Sequence, residues 1–318
     1  MTEQSRTEGA IDKVSDAAKG NWVDTVAPEF SRPYLRLARA DRPIGTWLLL
    51  IPCWWGLTFA ILKVGQLSLA DLWIFVGCAL GAFLMRGAGC TWNDITDRNY
   101  DGAVERTKTR PIPSGQVTVL QAVVWMGLQA LIASFILFSF NWVAITLGLI
   151  SLVPVLVYPF AKRFTWWPQV FLGIAFNWGV LFAFAAQTGS VHGATILLYL
   201  SGIAWTLFYD TIYAHQDKED DALIGIKSTA RLFGDATYSW LWVFSLLSST
   251  FMLGALWFCT SGLSFVICGL GVLVFLSHMI WQIHKVNLDN AENLLRIFKS
   301  NRNAGLLPLV FFAFAVTL

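Results

Sequence analysis

Residues 70–101 read ADLWIFVGCALGAFLMRGAGCTWNDITDRNYD. From 70 to 91 the stretch carries only Asp71 and Arg86 as charges. About 20 such residues are what an α-helix needs to cross a ~30 Å hydrocarbon layer. Backbone in lipid must satisfy its own hydrogen bonds, so the run is read as a helix. At 93 the character changes to Asn93, Asp94, Asp97 and Asp101. Continued as helix, the three aspartates stand at i, i+3 and i+7, within one arc of ~60°. A span that ends in a stripe of carboxylates decides the fold class and marks where chemistry is to be sought.

The same apolar run recurs along the chain. Spans are expected at 44–62, 70–91, 117–138, 141–160, 168–188, 194–213, 237–258, 262–283 and 304–318. The chain is 56% hydrophobic and 13% charged, against about 25% charged in a soluble domain. Strand alternation is absent. The expectation is an all-α, polytopic membrane helix bundle of about nine spans, occupying 34–318. Residues 1–33 are polar and fit neither a signal peptide nor a mitochondrial transit peptide, which is poor in acids. They are expected to form a largely disordered cytoplasmic tail, with 34–40 a short interfacial helix. The five cysteines lie in or beside apolar runs without metal-ligand spacing, and are read as small core residues.

Sorting the loops by side, with Arg86 near the end of the second span counted in its adjoining loop, places 21 of the 22 Lys and Arg residues on one face, with Lys63 alone opposite. By the positive-inside rule that face is cytoplasmic. The expected setting is a bacterial cell inner membrane, multi-pass, with the active site facing the cytoplasm. The acids are as lopsided, only Asp71 lying opposite. Acidic residues contribute little to topology, so their clustering calls for another cause.

A second acidic segment reads DTIYAHQDKEDD from Asp210 to Asp221. As continuous helix, Asp210, Asp217 and Asp221 stand within ~40° of arc. Carboxylates on one face at the edge of a low-dielectric region repel unless a cation intervenes. Oxygen donors suit a hard cation, and Mg²⁺ combines a few carboxylates with water and substrate phosphate. The acid-Gly-acid pattern of an EF-hand is missing. A solvated acidic face would explain either segment alone. It explains poorly two segments at the same depth on the same side. Basic residues flank both: Arg98, Arg106, Lys108 and Arg110, then Lys162, Arg163, Lys218, Lys227 and Arg231. Acids and bases so mixed suggest a metal-bridged anion such as diphosphate.

At these residues the chain resembles the UbiA superfamily of intramembrane prenyltransferases. Asn93, Asp94, Asp97 and Asp101 match its motif NDxxDxxxD, and Asp217 and Asp221 its DxxxD. The flanks, from NDITDRNYDG to RPIPSG and from DTIYAHQDKEDD to IGIKSTARLFG, resemble the branch acting on 4-hydroxybenzoate. So do Asp41–Gly45 and Tyr158–Arg163. The resemblance covers roughly 35–318. It implies helices around a central cavity, open to the cytoplasm and to lipid. It also implies transfer of a polyprenyl group from polyprenyl diphosphate to the carbon ortho to the hydroxyl of 4-hydroxybenzoate, in ubiquinone biosynthesis. Mg²⁺ is expected on Asp97, Asp101, Asp217 and Asp221, supported by Asn93 and Asp94, and Asp210 is expected to bind substrate. Arg98, Arg106 and Arg110 are expected to take remaining phosphate charge. Tyr213 is the aromatic singled out to shield an allylic cation. Arg163 is expected to hold the aromatic carboxylate, with Arg42 and Lys227 the next choices. His215 is expected to be passive, and the Gly87–Gly89 and Gly179–Gly189 spacings to serve helix packing. Partners are the two substrates and membrane lipid, with no nucleic acid. The rivals are another acceptor (homogentisate, dihydroxynaphthoate or haem), or a transporter, which would place charges at mid-membrane depth.

Overall fold

The computed structural model describes residues 20–102, 107–223 and 225–318. Among them it is helical throughout, with no strand. The α-helices are α1 (Trp22–Thr25), α2 (Arg32–Leu37), α3 (Ile44–Val64), α4 (Leu69–Asp101), α5 (Val119–Leu137), α6 (Trp142–Ile150), α7 (Leu152–Phe164), α8 (Pro168–Thr188), α9 (Gly193–Ala214), α10 (Lys218–Leu223), α11 (Thr229–Phe233), α12 (Thr237–Cys259), α13 (Gly262–Lys285) and α14 (Ala291–Val316). Eight stretches among the described residues are long and apolar enough to cross a membrane. The ninth expected span, 304–318, is the apolar half of α14, whose first half carries Glu292, Arg296, Lys299 and Arg302. Asn290 starts α14 by accepting from the Asn293 amide at 2.8 Å. A helix once nucleated runs through charged residues as readily as apolar ones.

The expected tail boundary at 33/34 falls inside ordered structure, since α1, a 3₁₀ turn at Glu29–Ser31 and α2 all precede or straddle it. Residues 1–19 lie outside the described residues. The span expected at 141–160 is two helices, α6 and α7, meeting at Ser151. Pro154 has no amide to donate to the carbonyl four residues back, which breaks the ladder there.

By contacts the chain divides into two units, 1–46 with 80–136, and 47–79 with 137–318. In the first, Leu37, Ile95, Val117 and Ala122 form a core against which Tyr34, Ile112 and Trp125 pack. Gly87 faces Gln129 so closely that a Cβ there would sit 1.9 Å from its Oε1.

In the second unit α9 is the inner helix: 67% of its span is buried, against 17% for the α6–α7 span. Trp55, Phe184, Leu198, Trp205, Phe208, Tyr209 and Phe275 are fully buried around it. Gly56 lies against the Val180 backbone and Gly179 against Cys53, both leaving no room for a Cβ. Gly189 does something else: at φ 72° it ends α8, and its Cβ position is open. The expected packing role holds for Gly87 and Gly179 but not for Gly189. Polar side chains clasp α9, α13 and α14 together. Trp205 Nε1 donates to Asn301 Oδ1 at 3.0 Å. Asn301 Nδ2 donates to Gln282 Oε1 at 2.9 Å, and Gln282 Nε2 returns to Asn301 Oδ1 at 3.2 Å. Groups so satisfied are tolerated in a low-dielectric interior, where an unpaired one costs about 1–3 kcal/mol.

Candidate active site

The first acidic segment is, as expected, a continuation of its span: α4 runs unbroken to Asp101. Asp94, Asp97 and Asp101 are 0%, 1% and 8% exposed. Burying carboxylates at this density demands partners. Arg39 Nη2 donates to Asp94 Oδ1 at 2.5 Å. Arg110 Nη1 donates to Asp101 Oδ2 at 2.7 Å and reaches Asp94 Oδ1 at 3.4 Å. Asp94 Oδ2 is buried with no hydrogen-bond partner among the described residues. Asp41, also buried, takes Arg42 at 3.3 Å.

Of the expected anion ligands here, Arg110 and Arg42 thus sit among carboxylates. Arg98 turns back to cap its own helix, Nη1 donating to the Ile95 carbonyl at 2.8 Å. Arg106 lies outside the described residues.

Arg39 is the residue that the sequence reading passed over. Within a basic interfacial segment it reads as a lipid anchor, and nothing local marks it otherwise. It is the single non-glycine residue with positive φ among those described, at 57°, a conformation that costs a residue with a Cβ about 1–3 kcal/mol. Burial works against the charge of its guanidinium, but the neighbouring Asp94, Cys90 and Asp41, Asp94 foremost, together outweigh it and raise its pKa above the ordinary arginine value.

The second segment departs from expectation. α9 stops at Ala214, His215–Asp217 is a 3₁₀ turn, and α10 starts at Lys218. Each 3₁₀ residue turns about 120° rather than about 100°, so three of them widen the expected arc of Asp210, Asp217 and Asp221 from ~40° to about 80°. All three are half-buried. The Nε2 of His215, the residue expected to be passive, bonds Thr237 Oγ1 at 3.2 Å. Tyr213 ends an aromatic column, its ring 4.4 Å from Phe298, which meets Tyr209 at 5.9 Å, itself 5.2 Å from Trp205.

Cations border this segment. Arg231 Nη1 donates to the carbonyls of Asp221, at 3.2 Å, and Ile226. The Lys227 amide donates to the Lys162 carbonyl at 3.0 Å, and its Nζ to Phe164 O at 3.3 Å, which ties the 225–228 loop to the end of α7. Arg163, expected in a loop, belongs to the last turn of α7 and lies over the Phe160 ring at 5.0 Å.

The donors fit a hard cation in kind: all are carboxylate oxygens, and Asp94 offers a buried oxygen with no hydrogen-bond partner among the described residues. Among the described residues, no three His, Cys, Asp or Glu are grouped closely enough to hold a metal ion.

Eight apolar spans and two aspartate-bearing helix ends, each bordered by buried or half-buried cations, define a polytopic membrane protein equipped to handle a charged ligand beside lipid. The model of the UbiA prenyltransferase family matches residues 49–303. The chain belongs to that family. It is 45% identical over 278 residues to the mitochondrial 4-hydroxybenzoate polyprenyltransferase of Drosophila pseudoobscura pseudoobscura, covering 87% of this chain and 68% of the relative. The Rattus norvegicus protein of the same name is 45% identical over 284 residues, 88% of this chain and 74% of that one. The Arabidopsis thaliana protein is 43% identical over 310 residues, 95% and 72%. Among solved structures, an Archaeoglobus fulgidus UbiA homolog bound to GPP and Mg²⁺ aligns with TM-score 0.66 at 17% identity, over 90% of this chain and 100% of the other. The apo UbiA homolog of Aeropyrum pernix K1 gives 0.64 at 21%, over 82% and 96%. These likenesses establish the fold. The relatives are named mitochondrial and come from eukaryotes, which overturns the expected placement in a bacterial inner membrane. The multi-pass membrane character stands on the spans themselves.

Proposed function

We propose that this protein transfers a polyprenyl group from polyprenyl diphosphate to the ring carbon ortho to the hydroxyl of 4-hydroxybenzoate, releasing diphosphate, as a step of ubiquinone biosynthesis. The observation that carries the reading is 45% identity over 87% of the chain to a protein named for this activity. Mg²⁺ is the expected cofactor on Asp97, Asp101, Asp217 and Asp221, and when bound it offsets the charge of the diphosphate.

The chain's own residues have separable tasks. Arg110, with Arg98 and Arg106, takes diphosphate charge, Asn93 and Asp94 support the carboxylates, and Asp210 binds substrate. The allylic C–O bond breaks, its electron pair leaving with the diphosphate. Tyr213 presents an aromatic face to the carbocation that remains, and the surrounding apolar side chains keep water from it. The ring π electrons ortho to the hydroxyl form the new C–C bond, and loss of the ring proton restores aromaticity. Arg163 holds the carboxylate of the acceptor, its planar fork suiting two oxygens.

The test is an assay of the purified full chain in lipid with polyprenyl diphosphate, Mg²⁺ and a panel of acceptors. Prenylated 4-hydroxybenzoate with stoichiometric pyrophosphate is the expected result. Turnover of homogentisate or dihydroxynaphthoate with none of 4-hydroxybenzoate would reassign the acceptor.

A further inference from the structure

Residues 20–43 precede the segment matched by the family model, yet they are built with care. Asn21 caps α1, accepting from the Asp24 amide at 3.2 Å. Trp22 Nε1 donates to the Ala40 carbonyl at 3.0 Å, and Arg36 Nη2 to Asp24 Oδ1 at 3.0 Å. Together these bonds hold the turn that follows α2, where Arg39 takes its positive φ. Glycine would fit that backbone without strain. The arginine is therefore explained by its side chain. Its Nη1 donates to the Arg36 carbonyl at 3.0 Å, fixing the guanidinium, and its Nη2 meets Asp94 Oδ1. Arg110 divides itself between Asp94 and Asp101. Asp94 Oδ2 is left buried, with no hydrogen-bond partner among the described residues.

We propose that Arg39 is a positioning residue for the transfer reaction, acting through Asp94. It anchors and charge-balances Oδ1 from a segment that no substrate displaces. Arg110 is thereby released to follow the diphosphate, and Asp94 Oδ2 is presented to the incoming metal–diphosphate group. The proposal rests on reading the first acidic segment as the diphosphate end of the site.

The test is a double-mutant cycle on the full-length protein with R39G, R39K, D94N and R39G/D94N. Two readouts are used: KM and kcat for prenyl diphosphate, and the thermal stabilisation given by inorganic pyrophosphate with Mg²⁺. R39G keeps the turn but strands the buried Asp94 carboxylate, so it should unfold below the wild-type temperature without ligand. It should also lose about tenfold or more in kcat/KM and in pyrophosphate affinity, the usual effect of removing the partner that orients a ligating group. R39K should recover part of the loss. In the D94N background R39G should add less than about twofold, because coupled residues are not additive. A wild-type response in R39G, or a loss undiminished by D94N, overturns the proposal. If R39G does not fold, R39K decides: wild-type kinetics and pyrophosphate response in it overturn the proposal. An incorrect acceptor would leave the pyrophosphate arm intact, so failure of the functional reading is separable. Absence of any pyrophosphate response in the wild type would sink both.

Discussion

Arg110 and Asp101 form a buried ion pair at 2.7 Å, and the guanidinium occupies the charge position that a cation would take beside that carboxylate. Removing it takes that partner from the buried Asp101 and leaves Asp94 with Arg39. Loss of one partner from such a pair costs about 3–5 kcal/mol. Arg110→Ala should therefore lower the unfolding temperature and raise KM for prenyl diphosphate more than KM for 4-hydroxybenzoate. Kinetics with each substrate varied in turn, beside a thermal melt, would check it. An effect on the aromatic acid alone would place Arg110 with the other substrate.

Asp97→Asn and Asp217→Asn should each reduce turnover by at least about a hundredfold, the scale of losing an electrostatic contact made in the transition state, while the protein remains folded and inserted. Asp235→Asn, at an exposed position outside both acidic segments, should retain activity. Turnover would be followed as pyrophosphate release at saturating Mg²⁺. Near-normal rates in either of the first two variants would remove that residue from the metal set.

Arg163 sits at the exposed end of α7, over Phe160. Arg163→Ala should raise KM for 4-hydroxybenzoate by about tenfold or more and leave that for prenyl diphosphate little changed, while Arg163→Lys, which keeps the charge and loses the fork, should fall between. If the prenyl diphosphate constant moves instead, the carboxylate partner is to be sought at Lys227 or Arg42.

The Asp24–Arg36 pair predicts a pH dependence for the N-terminal segment. Burial opposes the charged form of Asp24, but hydrogen bonds from Arg36 and Asn21 outweigh it and hold the carboxyl below its ordinary value. A depressed folded value means that the stabilisation is full above the ordinary carboxylate range and is lost as pH falls through the folded value. Hydrogen exchange of the 20–43 amides, corrected for intrinsic rate, should be constant between about pH 5 and 8 and loosen only in stronger acid. Asp24→Asn should loosen it at neutral pH, and unchanged exchange in that variant would show the pair to be inert.

What could be read in the sequence was what local pattern carries. Apolar runs located the spans because a hydrocarbon layer selects for length and composition, and the carboxylate spacing correctly extended α4 to Asp101. The second segment has a wider arc than its spacing suggests because spacing alone cannot distinguish an α turn from the 3₁₀ turn at His215–Asp217. Arg39 stayed hidden for a different reason. Its meaning lies in a left-handed turn and in a partner 55 residues away, and periodicity registers neither. Gly189 was misassigned because a small residue at a helix end looks the same whether it packs or terminates.

The clasp of Trp205, Gln282 and Asn301 bears on the order in which this protein is made. Trp205 leaves the ribosome 96 residues before Asn301, and Gln282 leaves it 19 before. Until α14 is threaded into the bilayer, the Trp205 indole N–H lacks its acceptor and the Gln282 side-chain oxygen its donor, while the Gln282 amide nitrogen has His278 Nδ1 on its own helix at 3.0 Å. Hydrocarbon gives them no substitute. The early helices must therefore be sheltered by the insertion machinery or remain loosely associated. The final helix closes the assembly as well as extending it.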